Sequence, residues 1–160
     1  MITIIFGEPG AGKTSLNTYF LKQLYREQGD RLLSYCRERI AEQNRERRNP
    51  LTLPTQPPIF ADFDVKFLTD YEEEYKPYYI NGFYFGIKNE KMPTQYVPPG
   101  SKIFLSEAQR YFDSRKSATL PDHVSRAFEM HRHADYNITM DVQRAGLIDL
   151  NIRALCKRFV

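Results

Sequence analysis

Hydrophobic and polar positions fall into short blocks along the chain, and each block predicts an element. Residues 2–6, Ile-Thr-Ile-Ile-Phe, are few and β-branched, so they predict a buried strand. Leu16, Tyr19, Phe20 and Leu24 recur at helical spacing within 13–28, which predicts a helix with Gly29 as its stop. A second helix is predicted over 31–47, with Leu32, Leu33, Cys36 and Ile40 on one side. Prolines punctuate 50–58, a connector, and 59–67 opens as a strand. Asn81-Gly82 between aromatic runs predicts a β-hairpin over 78–87. Pro99-Gly100 predicts a turn, 102–106 a strand, and the residues after it a helix. Residues 120–134 predict a helix, 136–143 a strand and 147–159 a helix. Strands alternating with helices imply an α/β fold with a mostly parallel sheet.

The junction of the first strand and helix carries the strongest chemistry. Gly7-Glu8-Pro9-Gly10-Ala11-Gly12-Lys13-Thr14 fits the phosphate-loop pattern G-x-x-x-x-G-K-[ST]. Glycines let successive backbone N–H groups turn inward around a polyphosphate. The helix that follows adds its positive N-terminal end. Lys13 is expected to bridge the β- and γ-phosphates of ATP, and the Thr14 hydroxyl to ligate Mg²⁺. Ser15 completes the binding set. The bland alternative is a glycine-rich turn with a solvated lysine, but the strand before and the helix after favour the phosphate loop.

Such a loop needs a partner strand whose end carries acid. Residues 102–109, Lys-Ile-Phe-Leu-Ser-Glu-Ala-Gln, are the best candidate. Glu107, at the corner, is placed to accept a hydrogen bond from an attacking water. Ser106 stands where an aspartate is usual, and its hydroxyl is a weaker, uncharged candidate to hold a metal-bound water. Read blandly, Glu107 is an acid in the first turn of a helix, favoured by the dipole. Asp62 and Asp64 are the alternative acids. Gln143, after the strand residues 137–142, is a candidate sensor of the γ-phosphate or a group that orients water.

Composition narrows the class. The 160 residues suffice for one domain, and 41% hydrophobic with 14% aromatic residues marks a globular chain. A net charge of +3 neither demands nor excludes nucleic acid. No run approaches the length of a membrane span. Cys36 and Cys156 lack metal-ligand spacing and read as reduced, buried thiols.

Weaker candidates remain. His131, Arg132 and His133 are poorly spaced for a metal; one packed ring with Arg132 pointing at phosphate or a neighbouring subunit fits better, against a solvated basic helix end favoured by the dipole. Arg115, Arg144 and Arg153 are candidate arginine fingers supplied by a neighbouring subunit. The arginines of 37–48 are either phosphate contacts or a solvated helix face. Tyr78, Tyr79, Phe83, Tyr84 and Phe85 either stack on bases or pack as core.

Four pieces occur in order: the phosphate loop near the N-terminus, 98–115 (Pro-Pro-Gly-Ser-Lys-Ile-Phe-Leu-Ser-Glu-Ala-Gln-Arg-Tyr-Phe-Asp-Ser-Arg), 130–143 with its His-Arg-His, and 147–159. Together they resemble the N-terminal ATPase domain of the zonular occludens toxin (Zot) family, which includes assembly ATPases of filamentous phages. The resemblance covers most of the chain except 30–95. It implies a three-layer P-loop NTPase of the additional-strand class, here with an inserted β-hairpin. It implies too that 1–160 is the cytoplasmic N-terminal domain of a longer, inner-membrane-anchored protein. A homo-oligomeric ring, phage assembly proteins and single-stranded DNA are the partners it suggests. Ser106 departs from the family's acidic pair. Two rivals stand beside this reading: a small nucleotide or metabolite kinase, and a degenerate module that binds nucleotide as a switch.

Overall fold

Apolar residues on both faces of short strands require cover on both sides, and the chain supplies it. The computed structural model describes residues 1–65, 77–80 and 97–160. In order run β1 (Ile2–Phe6), α1 (Lys13–Asn44), β2 (Ile59–Ala61), β3 (Tyr78–Tyr79) and β4 (Lys102–Leu105). Then follow α2 (Asp122–Glu129), β5 (Asn137–Val142), α3 (Leu150–Ala154) and β6 (Arg158–Phe159). The six described strands form one parallel sheet in the order β3-β2-β4-β5-β1-β6.

The pleat divides the core. Ile2, Ile4, Ile103, Leu105, Ile138, Met140 and Val142 face Val124 and Phe128 of α2 and Ile152 of α3. On the other face Ile59, Ala61 and Phe104 pack with Leu21 and Leu32 of α1. The result is three layers, helix, sheet and helices. Because β5 lies between β1 and β4, this is the P-loop fold of the additional-strand class that the family resemblance implies. Among the described residues no helix is long and apolar enough to cross a membrane.

Four expectations are corrected. Gly29 does not stop a helix: α1 is one 32-residue helix through it. Gly29 is buried where a Cβ would come within 3.3 Å of Pro57 Cγ, so packing against the proline connector offsets its low helix propensity. Tyr19 is correspondingly exposed, and the buried stripe runs instead through Asn17, Leu21, Leu32, Cys36 and Ile40. No α-helix follows β4; Glu107 takes a left-handed conformation and a single 3₁₀ turn follows over Ala108–Arg110. The helix over 120–134 is shorter, Asp122–Glu129, and turns carry the chain into β5.

The helix expected over 147–159 is only Leu150–Ala154, and its tail becomes the edge strand β6. Lys157 N–H donates to Ile2 O (3.1 Å) and Val160 N–H to Ile4 O (2.9 Å), satisfying the open edge of β1. The predicted hairpin over 78–87 lies mostly outside the described residues; of it, Tyr78–Tyr79 form β3, parallel to β2. Both cysteines are free, Cys36 buried and Cys156 half-buried.

Candidate functional site

The loop between β1 and α1 turns through two left-handed glycines, Gly10 at φ +81° and Gly12 at φ +77°. A Cβ at either would meet nothing within 4 Å, so the requirement is backbone conformation and not space. Ala11 N–H donates to Glu8 O (3.1 Å), closing the turn over Pro9. Lys13 is nearly buried, and its Nζ donates to Glu8 O at 2.9 Å, which aims the ammonium into the loop. Thr14 and Ser15 open α1 on its exposed side, while Gly7 lies under Ala11 and the Lys13 stem.

The end of β4 meets this loop. Thr14 Oγ1 is 3.3 Å from Ser106 Oγ. Ser106 N–H donates to Asp62 Oδ1 (2.7 Å), so the end of β2 braces the end of β4. Burial raises the Asp62 pKa; the Ser106 N–H, the Tyr111 hydroxyl and the Arg110 guanidinium pull the other way. Arg110 reaches Asp62 Oδ2 at 3.5 Å and Ser106 O at 3.0 Å. Asp62 therefore has a structural occupation, and Asp64 is exposed on the turn beyond it.

Glu107 projects from a backbone at φ +50°, ψ +47°. Its Oε2 accepts from Gln109 Nε2, and Gln143 Nε2 lies 3.5 Å from the same oxygen. The structure thus brings Thr14, Ser106, Glu107 and Gln143 together beside the loop. These are the residues the sequence singled out.

One residue was missed. Asp141 of β5 is fully buried. Its Oδ1 accepts from Glu107 N–H (2.9 Å) and lies 3.5 Å from Ser106 Oγ, and its Oδ2 accepts from Asn17 Nδ2 (3.3 Å). Asn17 also donates to Leu105 O at 3.1 Å, which ties α1 to β4 and β5 at once.

The weaker candidates lie elsewhere. His131 is buried with Nδ1 against Phe128 O, while Arg132 and His133 are exposed. Arg132 lines a cavity of about 480 Å³ with Arg31, Lys102 and Asp135, at the opposite strand ends from the loop. Arg115 is clamped on Asp113 (3.0 Å). Arg144 is exposed next to Gln143, and Arg153 is half-buried near Gly146. In the 37–48 stretch, Arg37 donates to Pro54 O (2.7 Å) and Arg39 lies over the Tyr35 ring. Of the aromatic run, Tyr78 packs against Phe60 and Tyr79 is exposed; Phe83, Tyr84 and Phe85 lie outside the described residues.

The atoms that Thr14 and Ser106 bring together are hydroxyl oxygens, the donor type Mg²⁺ takes. Among the described residues no three His, Cys, Asp or Glu side chains form a metal-holding group. The site therefore suits an ion that arrives on a phosphate with its waters, and not an ion held by protein alone.

No family profile and no curated protein sequence matches the chain. Solved structures do. The N-terminal domain of zonular occludens toxin from Neisseria meningitidis superposes with TM-score 0.50 at 20% identity, over 97% of this chain and 72% of that one. The genome-packaging NTPase B204 of Sulfolobus turreted icosahedral virus 2, solved with ATP-γS, gives TM-score 0.54 at 12% identity, over 97% and 71%. B204 of Sulfolobus turreted icosahedral virus, a DNA-packaging ATPase, gives 0.50 at 12%, over the same shares. At these identities the likeness establishes the fold, and it agrees with the resemblance read from the four sequence pieces.

Proposed function

We propose that the chain is a Zot-like domain that binds and hydrolyses ATP with Mg²⁺ and powers assembly or export of a phage. The observation that carries this is the meeting of the two halves of the site: Thr14 at the head of α1 is 3.3 Å from Ser106 at the end of β4, with Glu107 next to it. In this reading Lys13 exchanges its bond to the Glu8 carbonyl for phosphate oxygens. The loop N–H groups and the start of α1 hold the rest of the polyphosphate. The Thr14 and Ser106 hydroxyls would hold the Mg²⁺, which when bound would offset the charge that builds on the phosphate oxygens. Glu107 takes a proton from water as the water oxygen bonds to the γ-phosphorus and the bond to the β-bridging oxygen breaks. Gln143, against the same carboxylate, orients it and senses the γ-phosphate.

The strand order supports a hydrolase over a small kinase, because kinase-like P-loop proteins pair the loop strand directly with the acid-bearing strand. The ring, the arginine finger in trans, the phage partners, the single-stranded DNA and the membrane anchor outside this chain belong to the same proposal. The Zot and packaging-ATPase neighbours support the ATPase-like, phage-related part of it. Arg144 and Arg153 are the finger candidates with a side chain not clamped as Arg115 is.

Steady-state phosphate release, with and without candidate acceptors, tests the reaction. Release that needs no acceptor and falls roughly 10²-fold in Glu107→Gln is expected. Acceptor-dependent transfer would favour the kinase, and no turnover with intact ATP binding would favour the switch module.

A further inference from the structure

We propose that the acid of the metal site has moved one strand sideways: Asp141 on β5 supplies the carboxylate that Ser106 lacks on β4. This rests on the Mg²⁺-nucleotide reading above. Register makes the exchange possible. Leu105 pairs with Met140 across the two parallel strands, so Ser106 and Asp141, the next residues, end up side by side. On β5 the apolar Ile138, Met140 and Val142 face α2 and α3, which turns Asp141 toward α1 and the head of the phosphate loop.

Asp141 is enclosed by neutral groups. The residue is 0% exposed, and among the described residues no ion pair reaches it. Its bonds come from neutral donors only, the Glu107 N–H, the Ser106 hydroxyl and the Asn17 amide. A buried carboxylate without an opposite charge is costly. Asn17, equally buried, leaves its Oδ1 without a hydrogen-bond partner among the described residues. A buried carboxylate with no opposite charge, beside an amide oxygen with no partner, is a place that a cation on the far side of Ser106 would complete.

Ser106 links Asp141 to the loop. Its hydroxyl is 3.5 Å from Asp141 Oδ1 and 3.3 Å from Thr14 Oγ1. Donating to the carboxylate turns the serine lone pairs outward, toward the place beside Thr14 where the ion's water would bind. Asp141 is then a positioning residue. It sets the direction of Ser106 and, through the same Oδ1, the backbone of Glu107. Asp62, on the other side of Ser106, is held by Arg110 and so does not fill this role.

The test is calorimetric ATP affinity, with Mg²⁺ and with EDTA, for the native chain, Asp141→Asn, and the transposed chain Ser106→Asp/Asp141→Ser. In the native chain Mg²⁺ should tighten ATP. Asp141→Asn should lose about tenfold or more of that tightening, the usual scale for second-layer groups. Its affinity in EDTA should hold or rise, since a negative charge near the phosphates is gone. The transposed chain should recover the Mg²⁺ increment. Ser106→Asp alone sets two carboxylates side by side and should melt lower than the transposed chain. A native chain that binds no ATP under either condition would defeat the nucleotide reading itself. A native chain that binds ATP with no gain from Mg²⁺, an Asp141→Asn chain that keeps the full increment, or a folded transposed chain without it would overturn the proposal alone. If Asp141→Asn does not fold, the transposed chain decides, and its failure to fold would also overturn the exchange, because the acid would then have a structural task on β5 that β4 cannot take over.

Discussion

Glu107 holds a backbone conformation that costs a residue with a Cβ on the order of 1 kcal/mol, and Glu107 is one of two described non-glycine residues with positive φ. A glycine there would be free of that cost. Glu107→Gly should therefore be more stable than Glu107→Ala by about 1 kcal/mol in urea denaturation, while both lose turnover; equal stabilities would mean the conformation relaxes. Glu107, Ser106 and Gln143 were legible because they end apolar runs beside a recognisable loop. Asp141 was not. Asn137, Thr139 and Asp141 alternate with apolar residues, a period-two pattern that reads as a solvated face. That face is covered, by α1, and no local pattern in β5 says so.

The elements show where local signals mislead and where they hold. Gly29 looked like punctuation, yet helix α1 continues because tertiary contact with Pro57 outweighs a propensity deficit of about 1 kcal/mol. Helix α3 is short and depends on its cap. Asp149 Oδ1 accepts from Asn151 N–H (2.9 Å) and Ile152 N–H (3.2 Å) and is itself buried. Asp149→Ala should cost about 1–2 kcal/mol, read as a lowered denaturation midpoint; an unchanged midpoint would show the cap to be idle.

At the end of α2, burial lowers the His131 pKa, against the pull of its bond to Phe128 O. The unfolded chain then binds the proton more readily than the folded one. Stability from this group is full above the unfolded pKa near 6.5 and is lost as pH falls below it, by at most about 1.4 kcal/mol per pH unit. His131→Asn keeps the donor and removes the titration. Its stability should change less than the native chain's between pH 7 and 5.5, and parallel profiles would sink the assignment.

At the scale of the molecule, one parallel sheet brings four strand ends, β1, β4, β5 and β2, to the same edge as the phosphate loop. Alternating strands and helices made that class of fold legible. The edge strand β6 was hidden because Lys157, Arg158 and Phe159 carry no strand period; the open edge of β1 selects them. If a neighbouring subunit supplies an arginine, phosphate release per molecule should climb with protein concentration. A rate that is fast and flat in a monomer would argue against catalysis in trans.

Everything proposed for this chain depends first on a polyphosphate lying in the loop with Lys13 against it. Calorimetric titration of the native chain and of Lys13→Ala with Mg²⁺ and ATP asks this directly, with circular dichroism to confirm that both are folded. The native chain should bind, and the variant should bind at least about tenfold more weakly, the loss of one or two charge-assisted hydrogen bonds. Equal affinities in two folded chains would contradict the assignment of the site.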